Sequence, residues 1–330
     1  MTAAPFTLRP ATDADHAALA DLMTAVNPRH PLSTAALDHH LGSLRGHPLG
    51  LHVALWTAEA TRDGQPALLG VASVMQFAGM YHPDRYHAEV GVHPDARGQG
   101  VGRALAATLE GHLRGRGARE VLAGAYEDDP DSLAFLNRRD FREVMRFFDN
   151  VLTLADFDPH AWAAQRALPA GVRAVTYADL CAQTGEDAAR DAYYRGFQQA
   201  RADVPRTSPA TPVTPEDFRQ RLQAPHFLPG GVLLAITEGG EVAALSELEL
   251  EDGDPHRLNT GLTGTTRAWR RQGLALALKL RALDLARDLG AHEVWTGNAT
   301  TNAPMLALNE RLGFRPRVAW VEMQRGRADG

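Results

Sequence analysis

An internal repeat constrains this chain more than any other feature of its sequence. The pattern R-x-x-G-x-[G/A] occurs at residues 97–102 and again, 173 residues later, at 270–275. When residues 97–142 are aligned with 270–315 without gaps, 16 of 46 positions are identical. Average composition would give roughly 3 identities. A period this long indicates duplication of a whole domain, because solenoid repeats are only about 20–50 residues long.

The repeat also predicts how the chain divides into domains. A length of 330 residues is typical of about two domains. We expect one domain over residues 1–155 and a second over 170–330. Residues 156–169, which include two prolines, separate them as a linker.

Each copy of the pattern lies between an apolar strand and a helix-forming run, and this order is typical of anion binding. The first N–H groups of a helix have no internal partner and carry the positive end of the helix dipole. Glycines before them let the backbone curl around a phosphate. The dinucleotide fingerprint is excluded because Arg103 stands where it needs a third glycine, and no Gly-Lys-Ser/Thr follows as a P-loop requires. The sequence therefore predicts a ligand that bears a pyrophosphate.

The pattern resembles the acetyl-CoA pyrophosphate loop of the GNAT acyltransferase superfamily, with Arg97, Gly100 and Gly102 on the motif positions. The predicted order β-α-α-β-β-β-α-β-α-β resembles the family fold, and the repeat resembles the tandem arrangement of mycothiol synthase-like proteins. The resemblance implies an α/β (α+β) fold with two tandem GNAT acyl-CoA N-acyltransferase domains. Each would be a mixed β-sheet, splayed between its fourth and fifth strands and flanked by helices.

The same resemblance implies the chemistry and the ligand contacts. It implies acetyl-CoA as co-substrate and direct attack by the amine of a small molecule, without a covalent intermediate or a metal. The acetyl-CoA contacts that it implies are Val90, Val92, Arg97, Gly98, Gln99, Gly100, Val101 and Gly102 in the first copy, and Thr263, Thr265, Arg270, Arg271, Gln272, Gly273, Leu274, Ala275, Asn298, Asn302 and Asn309 in the second. Asn298 follows a predicted strand and Asn302 begins a predicted helix, so helix capping is an alternative role for both.

Glu89 is the candidate general base, because it lies beside the strand that would hold the acetyl group. Its apolar setting would raise the pKa of its carboxyl. An ordinary strand-edge carboxylate is the alternative interpretation. The second copy has Leu262 at the matching position, and Glu247 or Glu249 could substitute there. Their alternation with apolar residues, however, favours a solvated strand face.

The proton donor and the active copy stay open. The family's thiol-protonating tyrosine would stand five residues before the closing phenylalanine, where this chain has Leu136 and Asn309. Water or Tyr126 could replace it. The first copy has the better loop and base, whereas the second keeps the asparagines. One copy could therefore be a degenerate CoA-binding or structural domain, or the protein could bind CoA without turnover.

The composition limits the classes of partner that we expect this protein to bind. A net charge of −6 and the lack of a long basic run argue against nucleic acid and anionic membranes. No apolar run reaches the ~18 residues of a membrane span. Cys181 is the only cysteine, so we expect no intramolecular disulfide and a cytoplasmic protein. We expect a monomer or a homodimer. His82, His87 and His93 lack the matched spacing and further carboxylates of a metal site, so no metal is predicted and they are expected at the surface or in the acceptor pocket.

Overall fold

The computed structural model describes residues 6–62, 64–207 and 209–326; residues 1–5 and 327–330 of the two predicted domains lie outside it. The α-helices are α1 (His16–Val26), α2 (Thr34–Arg45), α3 (Val101–Gly115), α4 (Pro130–Asn137), α5 (Tyr177–Thr184), α6 (Glu186–Arg201), α7 (Pro215–Arg221), α8 (Leu274–Asp288) and α9 (Ala303–Arg311). The strands are β1 (Thr7–Pro10), β2 (Val53–Arg62), β3 (Gln65–Met75), β4 (Arg85–Val92), β5 (Glu120–Tyr126), β6 (Arg142–Thr153), β7 (Val172–Thr176), β8 (Phe227–Thr237), β9 (Val242–Glu251), β10 (Asp254–Thr265), β11 (Glu293–Ala299) and β12 (Arg315–Gly326).

The order of these elements confirms the predicted α/β fold. The first repeat reads β-α-α-β-β-β-α-β-α-β, as expected. The second repeat has the same order with one additional short helix, α5, which sequence analysis missed. The side chain of Thr176, the last residue of β7, caps α5, so strand and helix follow each other without a loop to mark the boundary.

The chain forms two compact units, and each contains segments of both repeats. The first unit comprises residues 1–145, 208–212 and 321–330, and the second comprises 146–207 and 213–320. The end of β12 therefore belongs to the first unit, and most of β6 belongs to the second. The limits 1–155, 156–169 and 170–330 describe the repeat in the sequence and stay a prediction for the domains.

The first unit is a mixed sheet covered on both faces. Its strand order is β1-β2-β3-β4-β5, followed by the end of β12. The helix α3 packs on one face through Leu105, Leu109 and Leu113, and the helices α1 and α2 pack on the other through Leu19 and Leu41. These leucines are all buried. Each stabilises the unit by about 1.5–3 kcal/mol relative to an exposed side chain.

The second unit begins with the start of β12 and continues in the strand order β6-β11-β10-β9-β8-β7. Its core packs α8 on one face, whereas α5, α6 and α7 cover the other. The predicted linker docks on this unit: Phe157 is buried in the core, Trp162 packs beside it, and Arg166 forms an ion pair with Asp284.

Both sheets open into a fork, as the resemblance implied. The strands β4 and β5 pair in parallel only from Arg85 to His87, so β4 continues without a β5 partner beyond that point. The strands β10 and β11 likewise pair only from Arg257 to Thr260. A bulge gives β10 one extra residue relative to β9 between Thr260 and Thr263. The free edges of the two forks are the places where a ligand can add main-chain hydrogen bonds.

Within the described ranges, no helix is both long and apolar enough to span a bilayer. Over those same ranges, no group of three or more histidine, cysteine, aspartate or glutamate residues is arranged to hold a metal ion. Cys181 is a free thiol, partly buried on α5.

Candidate active site

The two R-x-x-G-x-[G/A] loops share one backbone conformation. The helix caps Gly100 and Gly273 are both left-handed, with φ of 85° and 79°. Two residues earlier, Gly98 has φ of 73° and Arg271 has φ of 61°. A left-handed conformation costs an ordinary residue roughly 1–2 kcal/mol. The second loop thus keeps its shape even where arginine replaces glycine.

Each loop leaves the N-terminus of its helix open to an anion. A Cβ added to Gly98, Gly100 or Gly273 would meet no atom within 4 Å. Below these glycines, Val101 and Leu274 are buried and anchor the helix starts. Free N–H groups beside open space are what a diphosphate needs.

The loop arginines take equivalent positions. Arg97 Nε donates to the carbonyl of Val92 at 3.4 Å, and Arg270 Nε donates to the carbonyl of Thr265 at 3.4 Å. Each exposed guanidinium is thereby held at the end of a fork strand. A cation in this position can meet the ligand's phosphates as the N-terminus of the helix does.

The surroundings of the two arginines differ. Arg270 Nη2 lies 2.6 Å from Asp203 Oδ2, and Arg267 Nη2 lies 3.8 Å from the same oxygen. The hydrogen bond from Arg270 holds the pKa of Asp203 below its ordinary value. Among the residues that the structure describes, Arg97 has no such carboxylate partner.

The fork strands turn alternate backbone N–H groups toward the opening. The N–H of His93 donates to Leu69 O on β3 at 2.9 Å, and this bond sets the alternation along β4. The N–H groups of Val90 and Val92 therefore face away from β3, into the fork. By the same argument, the bond from Thr266 N–H to Ala243 O (2.9 Å) turns the N–H groups of Thr263 and Thr265 into the second fork.

Glu89 presents a carboxylate beside the first fork. It pairs with Ser73 on the face of the sheet that α1 covers, next to Gly91, whose added Cβ would lie 3.3 Å from Val26 Cγ1. The Glu89 side chain is exposed, yet protein atoms surround it closely enough to raise the pKa of its carboxyl by desolvation. No hydrogen bond or ion pair engages Glu89 within the described part of the chain. An accessible carboxylate with a raised pKa has the properties of a general base.

His87 lies two residues before Glu89 on the same face of β4. Its ring meets Phe77 edge-on at 4.2 Å, and its Nε2 atom is buried without a hydrogen-bond partner among the described residues. Burial and the nearby charge of Arg85 lower its pKa to about 4, so the imidazole is neutral at pH 7. Sequence analysis favoured a surface or acceptor-pocket position for this histidine over a role as a metal ligand.

The second unit places a different carboxylate beside its fork. Glu247 is only 1% exposed, so the predicted solvated face is wrong. Its carboxylate accepts from Tyr193 OH at 2.5 Å, from Arg221 Nη2 at 2.6 Å and from the N–H of Leu262 at 2.7 Å. Arg221 also binds Glu249 at 2.7 Å. Because α6 and α7 cover this face, both glutamates are held in a network, and three of the roughly four acceptor positions of the Glu247 carboxylate are already occupied.

The three asparagines of the second repeat occupy different settings. Asn309 is buried, and its Nδ2 donates to Asn298 Oδ1 at 2.6 Å. Asn298 lies within β11, not after it. Asn302 begins α9 as expected, but its side chain makes no capping bond, whereas the matching Asp129 caps α4 through Ser132 N–H (3.0 Å). Capping therefore does not account for the Asn302 side chain, and the contacts of all three with CoA stay a prediction.

Comparison with known families agrees with this architecture. The sequence model of the acetyltransferase (GNAT) family matches residues 18–141 and 197–314. The chain belongs to the GNAT acetyltransferase family, with two GNAT regions in tandem. It is thus an acetyl-CoA-dependent N-acetyltransferase by class.

Curated relatives and solved structures match along most of the chain. The mycothiol acetyltransferase of Geodermatophilus obscurus is 30% identical over 351 aligned positions, covering 99% of this chain and 100% of the relative. That of Pseudarthrobacter chlorophenolicus is 28% identical over 281 residues, covering 83% and 79%. A tandem GNAT protein from the clavulanic acid biosynthesis pathway has a TM-score of 0.75 at 23% identity, covering 98% and 100%. A GCN5-related N-acetyltransferase from Sphaerobacter thermophilus has a TM-score of 0.68 at 22% identity, covering 98% and 96%. The two structures share the fold over the full length.

Proposed function

We propose that this protein transfers the acetyl group of acetyl-CoA to the amine of a small molecule by direct attack, and that Glu89 is the general base. The observation that carries the proposal is the unengaged, accessible carboxylate of Glu89 beside an open fork. The name of the curated relatives makes the acceptor that mycothiol acetyltransferases use the first one to test.

Acetyl-CoA would be held by main-chain groups of the first unit. The open N–H groups after Gly98 and Gly100, together with Arg97, would bind the diphosphate. The N–H groups of Val90 and Val92, which face the fork, would bind the thioester arm and polarise its carbonyl. The matching residues of the second loop would hold CoA in the same manner.

In the proposed step one acetyl group moves from the thioester sulfur to the amine nitrogen, the amine loses a proton and the thiolate gains one. The amine nitrogen bonds to the carbonyl carbon of the thioester, and the bond from that carbon to sulfur breaks. Glu89 takes the proton that the amine loses. The departing thiolate is protonated by water or by Tyr126, the two donors that the sequence left open.

We assign turnover to the first unit and CoA binding without turnover to the second. In the second unit Leu262 replaces the base, and Glu247 is already bound by three donors. This assignment supports the alternative of one catalytic domain with a degenerate partner. The domain limits at 155 and 170, and a monomeric or homodimeric state, are part of the same proposal.

Two measurements test the proposal. Release of CoA thiol from acetyl-CoA is followed with the full chain and a panel of small primary amines that includes the mycothiol acetyltransferase acceptor. Calorimetry then counts bound CoA in the wild type, Gly100→Glu and Gly273→Glu, with circular dichroism to check folding. We expect amine-dependent release that Gly100→Glu abolishes and Gly273→Glu keeps. CoA binding without any amine-dependent release would support a binding module instead, and the reverse pattern of variants would place turnover in the second unit.

A further inference from the structure

In the second loop, Arg270 already forms an ion pair with a carboxylate of the protein itself, that of Asp203. Asp203 follows α6 in a turn that Arg206 fixes, since its guanidinium donates to the carbonyls of Val204 and Arg201 at 2.8 Å each. The turn presents the carboxylate to Arg270 at 2.6 Å. Arg270 is the residue that matches Arg97, and it has the same bond to its fork strand.

We propose that Asp203 competes with the diphosphate of CoA for Arg270, so that the two loops bind CoA with unequal affinity and the first loop fills first. The two loops have nearly equal φ angles and equally open glycines, so their main-chain donors are equivalent. Two features distinguish them, Arg271 in place of Gly98 and the carboxylate on Arg270, and of these only the carboxylate opposes an incoming anion. The inference relies on the proposed function only for the identity of the ligand.

The first unit brings no carboxylate to Arg97 among the residues that the structure describes. The segment after α1 carries Arg29, whose guanidinium lies 2.6 Å from Asp128 and 4.5 Å from the ring centre of Tyr126. The acidic residue next to the first loop in the sequence is Asp95, whose carboxylate lies 3.8 Å from His93. An incoming diphosphate thus meets an available Arg97 in the first unit, but must displace a carboxylate in the second.

The size of the effect follows from the exposure of the pair. The Arg270 and Asp203 side chains are 38% and 47% exposed. Exposed pairs are individually weak, and a diphosphate carries more charge than one carboxylate. CoA should therefore displace Asp203, but at a loss of about 2- to 5-fold in affinity.

The test isolates the second loop in the full-length protein. Calorimetry with CoA at low salt compares Gly100→Glu with Gly100→Glu/Asp203→Asn, after circular dichroism has shown that both fold. We expect the second variant to bind CoA about 2- to 5-fold more tightly, and the gain to shrink at 0.5 M salt. The matched control, Asp95→Asn in the Gly273→Glu background, removes the same charge beside the first loop and should change affinity less than twofold.

Each outcome is decisive. Equal or weaker CoA binding after Asp203→Asn would overturn the competition while leaving the proposed function intact. The same gain from Asp95→Asn would reduce the effect to net charge and would also overturn it. If CoA binds neither loop of the wild type, the proposed function fails together with this inference.

Discussion

Glu247 accepts the backbone N–H of Leu262 at 2.7 Å, and Leu262 stands in the second repeat where Glu89 stands in the first. Both units therefore place a carboxylate near the same point of the fork, but from neighbouring strands, β4 in the first unit and β9 in the second. Glu89 makes no hydrogen bond or ion pair within the described ranges. Glu247, by contrast, also accepts hydrogen bonds from Tyr193 and Arg221. This contrast between an available and a bound carboxylate leads to the first three predictions.

Glu89→Gln should remove the general base while keeping the size of the side chain. We expect kcat for amine-dependent CoA release to fall about 10²- to 10⁴-fold, with the KM for acetyl-CoA within twofold of wild type. Steady-state kinetics measures both. The control Glu241→Gln changes an exposed glutamate on a turn and should leave kcat unchanged. Equal kcat values for Glu89→Gln and wild type would rule out this role.

The pH profile should report the raised pKa of Glu89. The base must be deprotonated, so kcat/KM should increase as pH rises through a pKa above the ordinary value of 4.5. Initial rates from pH 4.5 to 8.5 would show this acidic limb in the wild type and not in Glu89→Gln. A limb that persists in the variant would belong to another group.

Glu247→Gln should act on stability and not on the first unit's chemistry. The change leaves Arg221 without its most buried partner, and we expect a loss of ~3 kcal/mol in the free energy of unfolding. Tyr193→Phe removes one hydrogen bond and should cost about 1–2 kcal/mol. Urea unfolding measures both losses. A large fall in kcat without a change in stability would show that Glu247 takes part in turnover.

Lys279 should make stability depend on pH in the alkaline range. It is 2% exposed on α8, its Nζ lies 5.0 Å from the ring centre of Phe314, and burial lowers its pKa from 10.5 to about 7. Between these values the unfolded chain keeps the proton that the folded chain has lost. The free energy of unfolding should therefore fall as pH falls from 10.5 to 7 and level off below.

Lys279→Met fills the same space without a charge and should remove that dependence. At pH 7 it should stabilise the protein by a few kcal/mol, on the scale of ~1.4 kcal/mol for each pKa unit. Thermal unfolding at pH 7, 8.5 and 10 measures the difference. Lys279→Arg keeps a charge and serves as the matched control, which should not stabilise. A variant and a wild type with parallel pH profiles would contradict the prediction.

His87 should make stability depend on pH with the same sign, but in the acidic range. Its pKa is about 4 in the folded protein, against an ordinary 6.5. Between these values the unfolded chain binds a proton that the folded chain does not, so stability should fall as pH falls from 6.5 to 4. His87→Gln should reduce this pH dependence of the free energy of unfolding, which urea unfolding measures over that pH range. If the free energy of unfolding depended on pH equally in the variant and the wild type, other groups would be responsible for that dependence.

Local sequence rules predicted the fold and the loops well. Helix α3 begins directly after Gly100, and the fork opens beside Val90, as the strand-loop-helix order indicated. The prediction of a solvated face at Glu247 and Glu249 is wrong. An alternation with a period of two separates the two faces of a strand but does not show what covers each face. Here Arg221, from a helix far away in the sequence, makes burial of both glutamates feasible.

The ion pair between Asp203 and Arg270 also had no signal in the sequence, because the two residues are joined only through the packing of α6 beside β10. Gly264 shows this close packing, since an added Cβ would lie 2.9 Å from Ala200 Cβ. By contrast, the left-handed position of Arg271 could have been read from its alignment with Gly98. The repeat thus carries conformational information even where the residue type has changed.

Each compact unit contains the end of the other repeat, and this has a consequence for dividing the protein into fragments. A fragment that stops at the linker lacks the strand end at 321–326, whose buried Val321 and Met323 complete the first core. The complementary fragment lacks residues 147–153, which pair with β11. Neither half contains a complete sheet by itself, so each copy of the repeat depends on the other for one strand segment.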